Sequence, residues 1–282
     1  MPVVFVLIWS TGFIVARYAM PHAPPLQFLS VRYGLSALAL GLWALAGSAA
    51  WPHSRAQAAH LAVVGVLMQA AYLGGVWAAV KAGMGSGLIA LMVGLQPVLT
   101  ALWLSARGGR VAPLQWAGLG LGFAGLALVV WRKLGQGSEV SVLSVSLALV
   151  ALLSITAGTL YQKRFVAPCD VRSASAVQQM AALAVTLPLA WLLERQGAIV
   201  WNVESIGAMA WSVLVLTLGG NSLLYLLIQR GSATAVTSLL YLVPPCTAVM
   251  AWLLFGEPIT GLTVAGIVLT AVGVGLVLRV RR

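Results

Sequence analysis

Charge is scarce in this chain. Only 7% of its 282 residues are charged, and 5 are acidic. A soluble chain carries about 25% charged residues, so no soluble domain of this length fits. The acids are Asp170, Glu139, Glu194, Glu204 and Glu257, and none falls inside a long apolar run. A proton-carrying carboxylate at membrane depth is therefore excluded, as is the intramembrane acid on which cation carriers rely. Cysteine is rare too. Cys169 sits in a polar stretch and Cys246 in an apolar run, which gives no disulfide framework. The histidines His22, His53 and His60 flank apolar runs without metal-ligand spacing. Nucleophile–histidine pairs, phosphate loops and cofactor motifs are missing from the sequence, so a membrane-embedded enzyme is unsupported. The first apolar run lacks a basic leader and a small-residue cleavage site, so no cleavable signal peptide is expected.

What is abundant is apolar. The chain is 61% hydrophobic with a mean hydropathy of +1.00, which predicts an all-α integral membrane protein surrounded by lipid. Its net charge of +11 does not predict nucleic-acid binding, because the basic residues punctuate the ends of apolar runs. That is where topology signals and headgroup contacts lie.

Ten membrane-spanning helices are predicted, at 3–20, 25–46, 56–81, 85–106, 111–132, 140–164, 172–195, 203–230, 232–255 and 259–280. Proline, glycine and polar clusters separate them. Glu257 and Pro258 read as the start of the tenth, since proline suits a first helical turn and an acid suits its positive end. Residues 83 to 129 repeat at an offset of 148 with 11 identities in 47 positions. Five of these are Gly83/Gly231, Pro97/Pro245, Gly108/Gly256, Gly118/Gly266 and Gly125/Gly273. Such residues fix backbone geometry and weigh more than matched leucines. A fainter match at offset 146 lays Ser10 on Thr156, Gly12 on Gly158 and Arg17 on Lys163. The polar stretch 133–139 divides two five-helix repeats, 1–135 and 136–282. An odd number of spans makes the second repeat enter the membrane from the opposite side, so an inverted repeat is expected, with a substrate site between the copies.

Orientation follows from the basic residues. With the N-terminus in the cytoplasm, ten lie on the cytoplasmic side and five on the other, with Arg32 left out as intrahelical. The positive-inside rule then places both termini in the cytoplasm.

Several segments carry a family likeness. Trp9-Ser10-Thr11-Gly12-Phe13, Pro24-Pro25 followed by Val31-Arg32-Tyr33, and Tyr241–Thr260 (YLVPPCTAVMAWLLFGEPIT) resemble the first-, second- and ninth-helix motifs of the EamA family, within the drug/metabolite transporter superfamily. The likeness spans the whole chain. It departs where Gly109 stands opposite Glu257 in the repeat. The resemblance implies alternating-access transport in a bacterial inner membrane, with helices one, three, four, six, eight and nine lining the path. The likeness is greatest to amino-acid exporters. A permease for another metabolite or drug, or a non-transporting scaffold or receptor, is the alternative.

The candidate substrate site is walled by Trp9, Thr11, Trp77, Gln96, Tyr161, Asn221, Tyr225 and Tyr241. Thr217, Asn221 and Tyr225 recur at i, i+4 and i+8 on the eighth helix, and the repeat sets Gln69, Leu73 and Trp77 opposite them on the third. Trp9 and Thr11 lie near mid-membrane on the first helix. An aromatic lining favours apolar side chains, while Asn221, Thr11 and carbonyls freed near Pro97 and Pro245 would hold a zwitterionic head. Pro97, Pro244 and Pro245 break the hydrogen-bond ladder and are candidate hinges. Arg32 is read as snorkelling to the outer headgroups, with a substrate clamp as the alternative. Gly118, Gly122 and Gly125 with Gly266, Gly273 and Gly275 form small-residue stripes on helices five and ten. They allow close helix packing within a monomer or, alternatively, a homodimer contact. The expected partners are the lipid bilayer and a small-molecule substrate.

Overall fold

The computed structural model describes residues 2–106, 112–134, 140–195, 197–220, 223 and 242–279. In chain order the helices are α1 (Pro2–Ala19), α2 (Pro25–Ala46), α3 (Arg55–Gly65), α4 (Tyr72–Lys81), α5 (Ser86–Val93), α6 (Gln96–Ala106) and α7 (Pro113–Leu134). They continue with α8 (Val142–Phe165), α9 (Val171–Leu193), α10 (Val203–Ala210), α11 (Val243–Phe255) and α12 (Gly261–Arg279). A π-helical segment, Val66–Ala71, joins α3 to α4, and another, Trp211–Gly220, extends α10. Among the described residues, five helical stretches are long and apolar enough to cross a membrane: Pro25–Ala46, Arg55–Lys81, Val142–Phe165, Val171–Leu193 and Val203–Gly220.

Helix ends follow local chemistry. Ser54, Ser141, Asp170 and Asn202 each accept a backbone N–H of the helix that follows them, as small polar residues do at N-caps. Gly83 (φ 97°) and Gly256 (φ 65°) adopt left-handed conformations just after α4 and α11, where a side chain would be strained. The start of the tenth span differs from the sequence expectation. α12 begins at Gly261, and the Thr260 hydroxyl accepts the Thr263 N–H at 3.2 Å. Glu257 serves a different helix, described below.

Small residues set the packing. Among the described residues the most extensive pairings are α7 with α12 and α2 with α9. A Cβ on Gly273 would lie 2.4 Å from the Gly118 carbonyl oxygen, and one on Gly125 2.8 Å from that of Gly266. The two glycine stripes are therefore pressed together inside the chain, backbone against backbone. Gly75 lets α4 approach α8, and Gly65 lets α3 approach α9 in the same way. α5 packs on α11, α1 on α11 and on the second π-helical segment, α6 on α8, and α2 on that same π-helical segment.

One end of the bundle gathers the segments around residues 20–24, 82–85, 194–202 and 256–260. Lys81 Nζ donates to the Met20 carbonyl at 2.6 Å, and the Val200 N–H to the His22 carbonyl at 2.8 Å. At the opposite end the Ser173 hydroxyl donates to the Ala50 carbonyl at 2.7 Å, and Asp170 holds Arg172 at 2.7 Å. The thiols of Cys169 and Cys246 are free.

Candidate functional site

α1 crosses α11 and the second π-helical segment through small polar residues. The buried Ser10 hydroxyl donates to the Val6 carbonyl at 2.7 Å, which leaves its own carbonyl facing the Thr247 hydroxyl at 3.4 Å. At the next residue, the Trp211 indole N–H donates to the Thr11 hydroxyl at 2.9 Å, while Thr11 donates to the Ile8 carbonyl at 2.6 Å. Trp9 stands against Phe5, with ring centroids 5.3 Å apart. Its edge approaches Gly220 at 3.9 Å from where a Cβ would stand. Trp9 and Thr11 thus meet the second π-helical segment. Trp211 joins them, and its large apolar body with one donor fits such a boundary.

A second cluster lies between α2 and α4. Trp77 is fully buried and stacks on Phe28 with centroids 4.9 Å apart. The Arg32 guanidinium carbon sits 5.8 Å from the Trp77 ring centroid. Arg32 is only 6% exposed, so its side chain turns into the bundle and does not snorkel to headgroups. It starts about 10 Å along α2 at 1.5 Å per residue. Tyr33 donates to the Gln69 carbonyl at 2.8 Å. Gln69 lies in the first π-helical segment, where the i→i+4 ladder is interrupted and a side chain can occupy a carbonyl. Ser36 faces Thr217 of the second π-helical segment, hydroxyl to hydroxyl, at 3.4 Å.

The third group lies on α6 and α8. Gln96 Nε2 donates to the Thr159 hydroxyl at 2.9 Å. Tyr161 is separate from it: its hydroxyl is 2.8 Å from His60 Nδ1, and Phe165 closes that cluster. The structure therefore brings Trp9 with Thr11, and Gln96 with Thr159, but sets Tyr161 in an aromatic cluster on α3. Asn221, Tyr225 and Tyr241 lie outside the described residues.

The break between α5 and α6 touches the start of α11. α5 stops at Val93 and α6 starts at Gln96, with Pro97 in its first turn. Pro244 and Pro245 occupy the first turn of α11. A Cβ on Gly94 would lie 3.0 Å from Pro244 Cγ. Open grooves of about 490 and 670 Å³ occur elsewhere, around Glu194 and Arg195 at the loop end.

Two acids act at the same loop end. The Glu257 carboxylate accepts the N–H groups of Ser86 at 2.9 Å and Gly87 at 3.4 Å, capping α5 from across the bundle. Glu194 does the same for α2, accepting from Leu26 at 3.0 Å and Gln27 at 2.9 Å. Each carboxylate meets the positive end of a helix. Sequence reading missed these partners because they lie roughly 170 residues apart and carry no local pattern.

Relatives resemble the chain over nearly its full length. It is 28% identical over 96% of its length to 88% of an uncharacterized transporter, YvbV, of Bacillus subtilis. It is 25% identical over 95% of its length to 90% of a probable amino-acid metabolite efflux pump of Salmonella typhimurium. It is also 25% identical over 95% of its length to 88% of the uncharacterized inner membrane transporter YedA of Escherichia coli K12. A solved crystal structure at 18% identity shares the fold, with a TM-score of 0.66 over all of this chain and 97% of that one. The EamA-like transporter family matches residues 2–131 and 142–279, so the chain belongs to that family.

Proposed function

We propose that this transporter is a ten-helix inverted repeat that exports hydrophobic, chiefly aromatic, amino acids across a bacterial inner membrane by alternating access. Its halves are residues 1–135 and 136–282, with both termini in the cytoplasm. The observation that carries the reading is the exchange symmetry of the packing. Exchanging the halves turns the contact of α3 and α4 with α8 into that of the second π-helical segment and α10 with α1. It turns α3 on α9 into the second π-helical segment on α2, and α1 on α11 into α6 on α8. The pairs α2–α9 and α7–α12 map onto themselves. The same 148-residue offset carries Val66–Ala71 onto 214–219, inside the second π-helical segment. Helix breaks repeated in both halves of a membrane protein are the places where a path opens and closes.

Trp9, Thr11, Trp77, Gln96, Tyr161, Asn221, Tyr225 and Tyr241 are the proposed site, with Pro97, Pro244 and Pro245 as hinges. The amino-acid cargo is supported by the name of the Salmonella relative and by aromatic side chains beside small hydroxyl donors. Counterflow of labelled phenylalanine into proteoliposomes preloaded with unlabelled phenylalanine tests it. Accumulation above the empty-liposome control is expected. Flat uptake for the apolar amino acids, with uptake of another metabolite class, would reassign the cargo.

A further inference from the structure

We infer that Arg32 is the carboxylate-binding group of the transport path, which makes the cargo a hydrophobic monocarboxylate in which the amino group is optional. This rests on the transport reading above. Arg32 is 6% exposed, and its Nε has no hydrogen-bond partner among the described residues. A buried cation is costly unless an opposite charge reaches it. The protein's acids are committed elsewhere. Glu257 and Glu194 cap helices, Glu204 pairs with His22, and Asp170 pairs with Arg172. The fifth, Glu139, falls by sequence between the fifth and sixth spans. What the described residues offer Arg32 is the Trp77 face at 5.8 Å. That face attracts a cation but leaves the charge uncompensated.

The missing counter-charge is then mobile, and a carboxylate is the group a planar guanidinium fork matches. The surroundings choose the remainder of the ligand. Phe28 and Trp77 form an aromatic stack beside the cation, suited to an apolar tail. An ammonium group would find no acid at membrane depth, because the sequence sets its acids at the ends of the predicted spans or between them. The carboxylate is therefore the recognised end, and the amine contributes little.

The test uses the purified full-length chain in detergent. Its thermal unfolding midpoint is followed against 3-phenylpropionate, L-phenylalanine, L-phenylalaninamide and 2-phenylethylamine, since a ligand that binds the folded state raises the midpoint. The two carboxylates should stabilise the wild type, and the amide and the amine should not. R32Q should lose tenfold or more in apparent affinity for 3-phenylpropionate, and the ratio of carboxylate to amide affinity should fall to near one. R32K keeps the charge without the fork, so it should bind several-fold more weakly and keep the preference. If Arg32 only packs on Trp77, both variants will shift the ligand-free midpoint and leave the ratio unchanged, which overturns the inference. Equal stabilisation of the wild type by amide and carboxylate, or by neither, overturns it too. Should R32Q not fold, undiminished binding by R32K is the overturning result. Carboxylate binding without phenylalanine counterflow would instead remove the amino-acid reading and leave Arg32 as the site of another monocarboxylate.

Discussion

The two regions that differ most are the loop end around residues 194–202 and 256–260 and the interior beneath it. Three of the four described acids stand at the loop end, each holding a helix N-terminus or a histidine. The interior has no described acid, one buried cation, and helices pressed together by glycine. Water explains the division. At the ends carboxylates remain partly solvated, and a helix N-terminus stabilises them at little desolvation cost. Inside, each charge carries its full desolvation penalty, so closeness comes from small side chains and charge is kept for a ligand.

Disturbing the interior should have the largest effect. Gly273→Leu puts a side chain where backbone atoms of Gly118 and Gly122 already stand within 2.6 Å of the Cβ position. The loss should reach about 3 kcal/mol or more, seen as a collapse of monodisperse yield in size-exclusion chromatography. A variant of normal yield would show that α7 and α12 separate easily.

At the loop end, Glu257→Ala should cost about 1–2 kcal/mol, since it strips two N–H groups of α5 of a charged acceptor. The cap joins the two halves, so accessibility should change as well. In a Cys169→Ser/Cys246→Ser background, thiol labelling of Ser86→Cys should be slow. Adding Glu257→Ala should speed it about tenfold, the ratio that corresponds to 1.4 kcal/mol. An unchanged rate would mean the carboxylate is not a latch between the halves.

Glu194→Ala should cost less, about 1 kcal/mol. Gln27, whose amide it leaves, borders an open groove that water can enter, whereas Ser86 is fully buried. Comparing the two melting shifts checks this order, and an equal loss would argue against solvation as the reason.

The Asp170–Arg172 contact should matter least for stability, and only above acidic pH. The Arg172 hydrogen bond holds the Asp170 carboxyl below its ordinary value. A depressed carboxylate contributes stability that is complete above the unfolded value, about 3.9, and is lost as pH falls through the folded one. Asp170→Asn should therefore melt slightly lower than wild type at pH 7 and together with it under strongly acidic conditions.

An interior without acids sets one further expectation, that of no change. Counterflow of the cargo should persist when an uncoupler abolishes the proton gradient. Its collapse would direct attention to Glu257, the carboxylate at the closure between α5 and α11.

Much of the architecture was legible because membranes simplify the code. Hydropathy and punctuation placed α2, the Arg55–Lys81 helix, α8 and α9 within a residue or two, since backbone polar groups in lipid are satisfied within each helix. The glycine stripes foretold the α7–α12 contact for the same local reason. The site was less legible. Trp9 and Thr11 were proposed from their depth in a helix and Gln96 from its neighbour Pro97, and the contact of Tyr161 with His60 rests on ring packing that spacing does not encode. Arg32 was misjudged because length lets an arginine snorkel in principle, and only the position of Trp77 shows which way the side chain turned.

The sequence by itself determined that this protein lives in a membrane, where its helices lie and which of them can approach closely. Those properties follow from hydropathy and from the size of individual residues. The tertiary structure decided which helix Glu194 and Glu257 cap and where the Arg32 guanidinium points. Both depend on groups far apart in the chain being brought within hydrogen-bond or ring-contact distance. Local pattern carries no record of that distance.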